Sequence, residues 1–326
     1  MSVTYDRFPS VSVPVNATDY AVAGWTAVGT ELRRRIADLG LGKTVVCVDF
    51  YQGVWEDEVV AALTAELKPA CVVCTREANR GRDEVRAMLA REVGEDRVFG
   101  LLTHRTVDEF FDAARVEALR ARIASAPDGV VLVCGVAAGY VCPTRDVLVY
   151  ADMARWEIQM RYRSGKLANW LDDNYGEDVL RLYKRGFFVD WRVLDRHKRS
   201  LYDALDYVLD TNAEEPKLMT GSAFRRGLEI AAHRPFRVKP YFDPGVWGGQ
   251  WMKEKFGLDP AKKNYAWSFD CVPEENSLLF DVGGIVLETP AINLVFRCPH
   301  ELLGEKVHAR FGTEFPIRFD MLDTMK

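Results

Sequence analysis

The first residues whose types could bind phosphate are a lysine and a threonine in a glycine-rich stretch, Gly40-Leu-Gly-Lys-Thr44. A phosphate loop follows a strand and opens a helix, so that backbone N–H groups and the helix dipole face the phosphates. Here the Gly-Lys-Thr precedes an apolar run at residues 44–49, and the G-x-x-x-x-G-K-[ST] spacing is missing. We therefore interpret Gly40 as the glycine that ends a helix, with a strand beginning just after it.

The loop that occupies the position of a phosphate loop is Asp49-Phe-Tyr-Gln-Gly-Val-Trp-Glu-Asp57, because it joins the first apolar run to a helix. Aligned by length, Glu56 takes the place of the phosphate-binding lysine and Asp57 that of the magnesium-binding hydroxyl. Carboxylates at a helix N-terminus compensate the dipole themselves and would repel a triphosphate. Three aromatic residues replace the small residues that let a backbone approach phosphate: Phe50, Tyr51 and Trp55. We predict that this loop does not hold ATP in the usual way and that no anion binds at the start of the helix.

Basic side chains further along the chain are the next candidates for binding phosphate. Arg161, Arg163 and Lys166 lie on one predicted helix and could bind such a group. The alternative is a solvated basic helix face, which is what most charge runs are. His197 lies among Arg196, Lys198 and Arg199, and we interpret it as a surface histidine rather than a general base.

The cysteines and histidines offer no metal site by spacing. Cys71 and Cys74 form a lone C-x-x-C with no second pair, and residues three apart on a strand face opposite sides, so we expect core thiols. The odd total of seven cysteines suggests reduced thiols in the cytosol. The five histidines contain no H-x-H or H-x-x-x-H pair. We therefore assign neither catalytic residues nor metal ligands.

Helices and strands alternate through the first two thirds of the chain. Continuous apolar runs predict buried strands at residues 44–49, 70–75, 129–135 and 147–150, with a short strand at 97–101. Helical spacing predicts helices at residues 24–39, 56–67, 83–92 and 107–125, and charge-rich helices beyond residue 154. This alternation predicts an α/β domain with a parallel sheet covered on both faces.

The composition changes near residue 235. Prolines and glycines cluster at residues 240–249, and strand-like runs follow at residues 277–280 and 285–287, with a further apolar segment at 293–297. That pattern is typical of a β-rich domain. We expect domains at residues 1–235 and 239–326, with the boundary between about His233 and Lys239.

Part of the first domain resembles the uridine kinase and phosphoribulokinase group, without the lysine of its phosphate loop. Three segments carry the resemblance: Val130-Val-Leu-Val-Cys-Gly-Val-Ala, Val147-Leu-Val-Tyr-Ala-Asp152 and the lid-like Arg155-Trp-Glu-Ile-Gln-Met-Arg-Tyr-Arg163. Residues 180–209 are similar to that group's long closing helices and final strand. The resemblance implies a P-loop-kinase-like frame and a nucleoside or sugar kinase, with the lid arginines on phosphate. A non-catalytic module that binds a nucleotide or phosphosugar is the alternative.

Residues 239–326 resemble the opening of a class I mannose-6-phosphate isomerase. The motifs are Pro240-Tyr-Phe-Asp-Pro-Gly-Val-Trp-Gly-Gly, Tyr265-Ala-Trp-Ser-Phe269 and Phe315-Pro-Ile-Arg-Phe-Asp-Met-Leu-Asp323, in the family's order. The resemblance implies the start of a cupin-type domain and an isomerase of aldose and ketose 6-phosphates. It implies a small phosphosugar substrate, with Trp247, Gly248, Gly249 and Trp267 as candidate binding residues. Arg161 and Arg163, suggested by the kinase-like lid, are the other candidate substrate-binding residues. A core tryptophan at a tight turn is the alternative for Trp247.

The isomerase family uses zinc, and its first zinc ligands follow the motif that ends at Asp323. We expect zinc in a full-length family member, and this chain supplies no ligand set for it, because such an ion needs about three protein ligands. We therefore expect a truncated and inactive portion of a longer isomerase, or a short form that only binds.

Composition narrows the partners and the compartment. A formal net charge of -5 does not favour nucleic acid or an anionic membrane, and no apolar run approaches the length of a membrane span. The first twenty residues lack the apolar core of a secretory signal. We predict a cytoplasmic protein with no nucleic-acid or membrane partner, and composition leaves the oligomeric state open.

Overall fold

A computed structural model describes residues 10–233, Gly257 and residues 276–298. The chain divides into two compact units. The larger unit comprises Val15–Met153 and Glu157–Phe224, and the smaller comprises Met1–Pro14, Ala154–Trp156 and Arg225–Lys326. Within the described ranges, no helix is both long and apolar enough to cross a lipid bilayer.

A seven-stranded sheet forms the centre of the larger unit. Its strands are β2 (Ala21–Ala23), β3 (Lys43–Phe50), β4 (Cys71–Cys74), β5 (Gly129–Val136), β6 (Val147–Asp152), β7 (Tyr207–Asp210) and β8 (Lys217–Thr220). The order across the sheet is β2-β8-β7-β6-β3-β5-β4. The five strands from β7 to β4 run parallel, and β8 and β2 extend the sheet in antiparallel pairing. The expectation of an α/β fold with a parallel sheet is confirmed.

Helices connect these strands. They are α1 (Trp25–Leu39), α2 (Glu56–Leu67), α3 (Arg82–Met88), α4 (Ala90–Val93), α5 (Ala113–Ala124), α6 (Ala138–Val141), α7 (Arg155–Arg163), α8 (Val179–Arg185), α9 (Trp191–Arg199) and α10 (Gly221–His233). Short 3₁₀ turns span Thr75–Ala78, Val107–Phe110 and Tyr202–Ala204, and a π turn spans Gly186–Asp190 between α8 and α9. Gly40 ends α1 with a left-handed φ of 63°, which confirms its interpretation as a helix-ending glycine.

The four apolar runs expected as buried strands of a parallel sheet are strands, but one of them lies at the edge of the sheet. β3 lies between β5 and β6 and is almost wholly buried, whereas β4 is the edge strand and is only half buried. Among the described strands β4 pairs only with β5, so one side of it has no strand neighbour. The short strand expected at residues 97–101 is wrong, since that segment forms no regular structure.

The connections of the sheet diverge at its middle. The chain leaves β3 through α2 toward the β4 edge, and it leaves β6 toward β7 on the other side. Ligand sites in open α/β sheets lie beyond the carboxyl ends of the strands at such a switch point. The residues that follow β3, β5 and β6 are therefore the candidates for a ligand-binding site.

The smaller unit contains a three-stranded sheet in the order β1-β9-β10, made of β1 (Ser10–Val13), β9 (Ser277–Val282) and β10 (Ile285–Pro290). β1 pairs parallel with β9, and β9 and β10 form a hairpin whose turn holds Gly283 and Gly284 at positive φ. The strand-like runs at 277–280 and 285–287 are confirmed, while the segment at 293–297 belongs to helix α11 (Ile292–Arg297). Trp247, Gly248, Gly249 and Trp267 lie outside the described residues.

Candidate functional site

The loop between β3 and α2 is held in place by Arg161, one of the arginines that the sequence suggested as a phosphate-binding residue. Arg161 donates from Nη1 to the carbonyl oxygen of Gly53 and from Nε to Oε1 of Glu157 at 2.9 Å. Its guanidinium also lies 4.3 Å from the ring centroid of Trp55. With only 6% of its surface exposed, Arg161 holds helix α7 against the loop. Arg163, two residues on, is exposed.

Helix α9 covers the same loop from another side through buried polar contacts. The Nε1 atom of Trp191 donates to Oε1 of Gln52 at 2.9 Å, and the hydroxyl of Tyr51 contacts Oδ1 of Asp195 at 3.0 Å. All four side chains are buried. Polar groups removed from water must find such partners, so these contacts fix where α9 lies.

His197 is not a surface residue, which corrects the interpretation from its cationic neighbours. Only 8% of it is exposed, and Nε2 lies 2.7 Å from Oδ2 of Asp49 at the end of β3. The same carboxylate oxygen accepts a hydrogen bond from the backbone N–H of Gly139 at 2.7 Å. The sequence error arose because α9 carries four basic residues in its last turn, and that charge alone suggests solvent.

Lys198 is the second buried basic residue of α9. Its Nζ atom lies 3.0 and 3.2 Å from the two carboxylate oxygens of Asp152 at the end of β6. It also lies 4.9 Å from the ring centroid of Tyr51 and 5.6 Å from that of Tyr150. The space in front of β3 and β6, where a phosphate loop would hold phosphate, is therefore filled by α9 side chains. We call this set of contacts from Trp191, Asp195, His197 and Lys198 the α9 network.

A cavity remains open beside the filled region, between the β3–α2 loop, the 3₁₀ turn after β4 and residues 167–175. Its volume is about 190 Å³. The lining includes a carboxylate, a hydroxyl, an arginine, two amides and an indole ring: Glu56, Thr75, Arg76, Asn79, Asn169 and Trp170. We call it the Glu56 cavity. It lies beyond the carboxyl ends of β3, β4 and β5, on the same edge of the sheet as the switch point between β3 and β6 and to one side of it.

Glu56 is the titratable group of this cavity. No side chain or backbone group of the described residues forms a hydrogen bond with its carboxylate. Burial raises the pKa of Glu56 to about 7, against the opposing charge of Arg76. A carboxyl group that is half protonated near neutral pH can both donate and accept a proton.

The amides and the hydroxyl of the cavity differ in whether they already have hydrogen-bond partners within the protein. The Oδ1 atom of Asn79 is buried and has no hydrogen-bond partner among the described residues. Thr75 already donates to the carbonyl oxygen of Val136 at 3.0 Å, and Asn169 donates to Oδ2 of Asp190 at 3.0 Å. Because a buried unpaired acceptor costs about 1–3 kcal/mol, Asn79 provides a position that a donor from a ligand would satisfy.

Strained backbone flanks the cavity. Leu171 in its wall and Ala137 just after β5 both have φ of 58°, a left-handed conformation that a residue with a Cβ atom rarely adopts. Gly135 has φ of 133°, and a Cβ atom there would lie 2.1 Å from Oγ1 of Thr75. A left-handed φ at a residue with a Cβ atom, as at Leu171 and Ala137, costs about 1–3 kcal/mol, and such residues cluster at functional sites.

Asp172, a second carboxylate in the cavity wall, is paired with two arginines. Asp172 binds Arg86 through Nη2 at 2.5 Å and also pairs with Arg185. Although burial raises the pKa of Asp172, the hydrogen bond from Arg86 and the charge of Arg185 keep it below its usual range. Asp172 is therefore a fixed anion, and Glu56 is the group free to change charge.

The sequence pointed to Glu56 only because it takes the position of the lysine of a phosphate loop. The raised pKa of Glu56 could not be predicted from the sequence, because it depends on burial. Asn79 and Trp170 carried no recognisable signal, since neither belongs to a motif. No group of three or more histidine, cysteine, aspartate or glutamate residues is placed to hold a metal ion within the ranges that the structure describes.

Comparison with protein families shows that the profile of a family described as a domain of unknown function, DUF8485, matches residues 24–233. Neither a curated protein nor a solved structure matches the chain. The matched region contains both the α9 network and the Glu56 cavity.

Proposed function

We propose that this chain, which belongs to the DUF8485 family, binds a small hydroxyl-rich ligand in the Glu56 cavity and that the Glu56 carboxylate accepts a hydrogen bond from a ligand hydroxyl. The ligand class is a sugar or the ribose of a nucleoside. One observation carries the proposal: the Glu56 carboxylate has no hydrogen-bond partner among the described residues and shares its cavity with the unpaired Oδ1 atom of Asn79.

The chemistry of the lining favours hydroxyl groups. Carboxylate and amide oxygens accept hydrogen bonds from hydroxyls, and Arg76 supplies donors. Trp170, stacked on Phe110 with a centroid separation of 4.7 Å, gives a rigid aromatic wall for the apolar face of a ring. At about 190 Å³, the cavity is smaller than the roughly 300–1,000 Å³ typical of drug-sized ligands. A single sugar ring is the expected size.

The charges favour a neutral ring over a phosphate inside the cavity. Glu56 and Asp172 are acidic, and Arg76 already pairs with Asp57 at 2.7 Å. A phosphorylated sugar would therefore place its ring in the cavity and leave its phosphate outside. The phosphosugar expected from the sequence therefore remains a candidate ligand, bound with its ring inside the cavity and its phosphate outside.

A pKa near 7 suits Glu56 to proton transfer at neutral pH. A general base is most effective when its pKa lies near the working pH, and burial raises the pKa of Glu56 to about 7. A ligand hydroxyl would first donate a hydrogen bond to the Glu56 carboxylate, and its proton would pass to Glu56 only as the hydroxyl oxygen forms a new bond.

If the frame is kinase-like, the position of its phosphate is blocked, which fits the same proposal. The α9 network fills the space in front of β3 and β6, and Arg161 ties down the loop that would have to open. We therefore favour binding without ATP over nucleoside or sugar kinase activity.

The test is thermal unfolding at pH 7.5 with mannose, mannose 6-phosphate, uridine or MgATP. We expect mannose, mannose 6-phosphate or uridine to raise the Tm of the wild type, because a ligand that binds only the folded state stabilises it. Glu56→Ala should lose the shift. Glu58→Ala, an exposed residue on the same helical turn, is the matched control and should keep it. A shift with MgATP alone that survives Glu56→Ala would contradict the proposal.

For residues 239–326 the isomerase resemblance remains a separate proposal, since Trp247, Gly248, Gly249 and Trp267 lie outside the described residues. Because the histidine spacing supplies no zinc ligand set, we expect no conversion of mannose 6-phosphate to its ketose by this chain, with or without added zinc. A coupled aldose–ketose assay measures it. Turnover by the purified chain would place an isomerase active site within these 326 residues.

A further inference from the structure

We propose that Cys74 and Cys134 are a peroxide-sensitive pair that forms a reversible disulfide at the edge of the Glu56 cavity. Both thiols lie in the larger unit, on neighbouring parallel strands. The effect on the cavity rests on the proposed function, whereas the formation of the disulfide does not.

The register of β4 and β5 brings the two sulfurs together. Cys74 pairs directly with Cys134, and their Sγ atoms are 3.9 Å apart. Neighbouring strands are about 4.8 Å apart, which lies within the roughly 4.4–6.8 Å between Cα atoms that a disulfide spans. A rotation of the side chains can therefore close the bond without moving the strands.

Cys71, on the same strand, does not share this geometry. Its register partner on β5 is Val131, and as a residue three positions from Cys74 it faces the other side of the sheet. Both cysteines of β4 are partly exposed. Cys71 therefore matches Cys74 in strand and exposure and differs in lacking a sulfur opposite.

The two thiols of the pair are suited to different roles. The hydrogen bond from Cys134, with help from the charges of Arg76 and Arg122, lowers the pKa of Cys74 to about 7 against the cost of burial. The contact with Cys74 and burial raise the pKa of Cys134. Cys74 is thus the accessible thiolate and Cys134 the buried resolving thiol.

The reaction takes two balanced steps with hydrogen peroxide as oxidant. The Cys74 thiolate attacks one peroxide oxygen, the O–O bond breaks, and the products are the Cys74 sulfenic acid and hydroxide, which takes a proton to become water. The Cys134 sulfur then attacks the sulfenic sulfur, and the S–O bond breaks. The departing hydroxide takes the Cys134 proton and leaves as water. Peroxide gains two electrons, and the two thiols lose them.

The disulfide would alter the cavity because Cys74 caps the turn that lines it. Cys74 is the N-cap residue of the 3₁₀ turn Thr75–Ala78, and the Glu77 carboxylate accepts from the Cys74 N–H at 3.3 Å. This turn carries Thr75 and Arg76 and leads directly to Asn79. Oxidation moves the Cys74 sulfur toward Cys134 and removes a negative charge that helps to raise the pKa of Glu56.

The test is peroxide treatment of the folded full chain, followed by alkylation of the remaining thiols and peptide mass spectrometry. We expect a peptide pair joined through Cys74 and Cys134, reversed by dithiothreitol, in the wild type and in Cys71→Ser. Cys74→Ser should form no such pair. Cys134→Ser should leave Cys74 as a sulfenic acid that dimedone traps. This variant tests the role of Cys74 as the peroxide-reactive thiol without requiring a disulfide.

Two results would overturn the proposal. One is oxidation of Cys71 before Cys74, and the other is conversion of wild-type Cys74 to sulfinic acid with no joined pair. A joined pair whose formation leaves the Tm shift with mannose or uridine unchanged would confirm the disulfide and refute its effect on the cavity. Circular dichroism of each variant shows that the readout comes from folded protein.

Discussion

The Nε2 atom of His197 lies 2.7 Å from Oδ2 of Asp49, a contact between residues 148 positions apart in the sequence. Asp49 ends the central strand β3 and is fully buried, and its Oδ1 atom has no partner among the described residues. His197 and the N–H of Gly139 thus satisfy one carboxylate oxygen only. This contact anchors the end of α9 to the carboxyl edge of the sheet.

Removing His197 should be destabilising. His197→Ala leaves the buried Asp49 carboxylate with only the Gly139 N–H among the described residues, and losing a hydrogen bond to a buried carboxylate costs about 1.5–3 kcal/mol. Urea unfolding at pH 7 measures the loss. His104→Ala, at an exposed histidine, is the control and should change stability by no more than about 0.5 kcal/mol. Equal stability of the two variants would show that the pair does not hold α9.

The Lys198 pair should show coupling. Lys198→Met removes the two contacts that Lys198 makes with the buried Asp152 carboxylate, with an expected loss of about 1.5–3 kcal/mol. Adding Asp152→Asn removes the charge and keeps an acceptor for the N–H of Met153, so the double variant should be more stable than Lys198→Met alone. A double-mutant cycle by urea unfolding measures the coupling. Lys166→Met, at an exposed lysine, should be nearly neutral, and purely additive losses would contradict the pairing.

Gly135 should not tolerate a side chain. Gly135→Ala puts a Cβ atom at positive φ and 2.1 Å from Oγ1 of Thr75, so strain and overpacking should together cost at least about 2 kcal/mol. Gly42→Ala is the control, because its φ is not positive and its nearest neighbour would be 3.8 Å away. Thermal unfolding distinguishes them. A Gly135→Ala protein as stable as Gly42→Ala would mean that the end of β5 is looser than described.

Glu56 should make stability fall as pH rises through the neutral range. Its folded pKa of about 7 lies above the ordinary 4.5, so between these values the folded state binds more protons than the unfolded state. The unfolding free energy therefore decreases from about pH 4.5 to pH 7, by up to about 3 kcal/mol, and the penalty persists above pH 7.

The substitution Glu56→Gln should flatten this slope and stabilise the protein at pH 8. Unfolding free energies at pH 5, 6, 7 and 8 provide the measurement. Glu58→Gln, exposed on the same turn, should keep the wild-type profile. An unchanged profile in Glu56→Gln would show that the carboxyl is ionised throughout and is unsuited to accept a proton near neutral pH.

Local patterns in the sequence determined the elements of the larger unit. The apolar runs that became β3, β5 and β6, the helix α2 at Glu56–Leu67 and the helix-ending Gly40 could all be recognised, because strand burial, helical spacing and glycine conformation are properties of neighbouring residues. The acidic start of α2 was equally visible in Glu56, Asp57 and Glu58. The sequence also showed that this loop differs from a phosphate loop.

Only the tertiary structure decided which elements lie next to one another. It placed β4 at the sheet edge, where Cys74 meets Cys134, and it set α9 on the carboxyl ends of β3 and β6. The basic end of α9 has the pattern of a solvated face, yet His197 and Lys198 are buried because Asp49 and Asp152, distant in sequence, supply their partners. Likewise the pKa of Glu56 depends on burial by residues outside its own helix, and burial is decided by packing between distant segments.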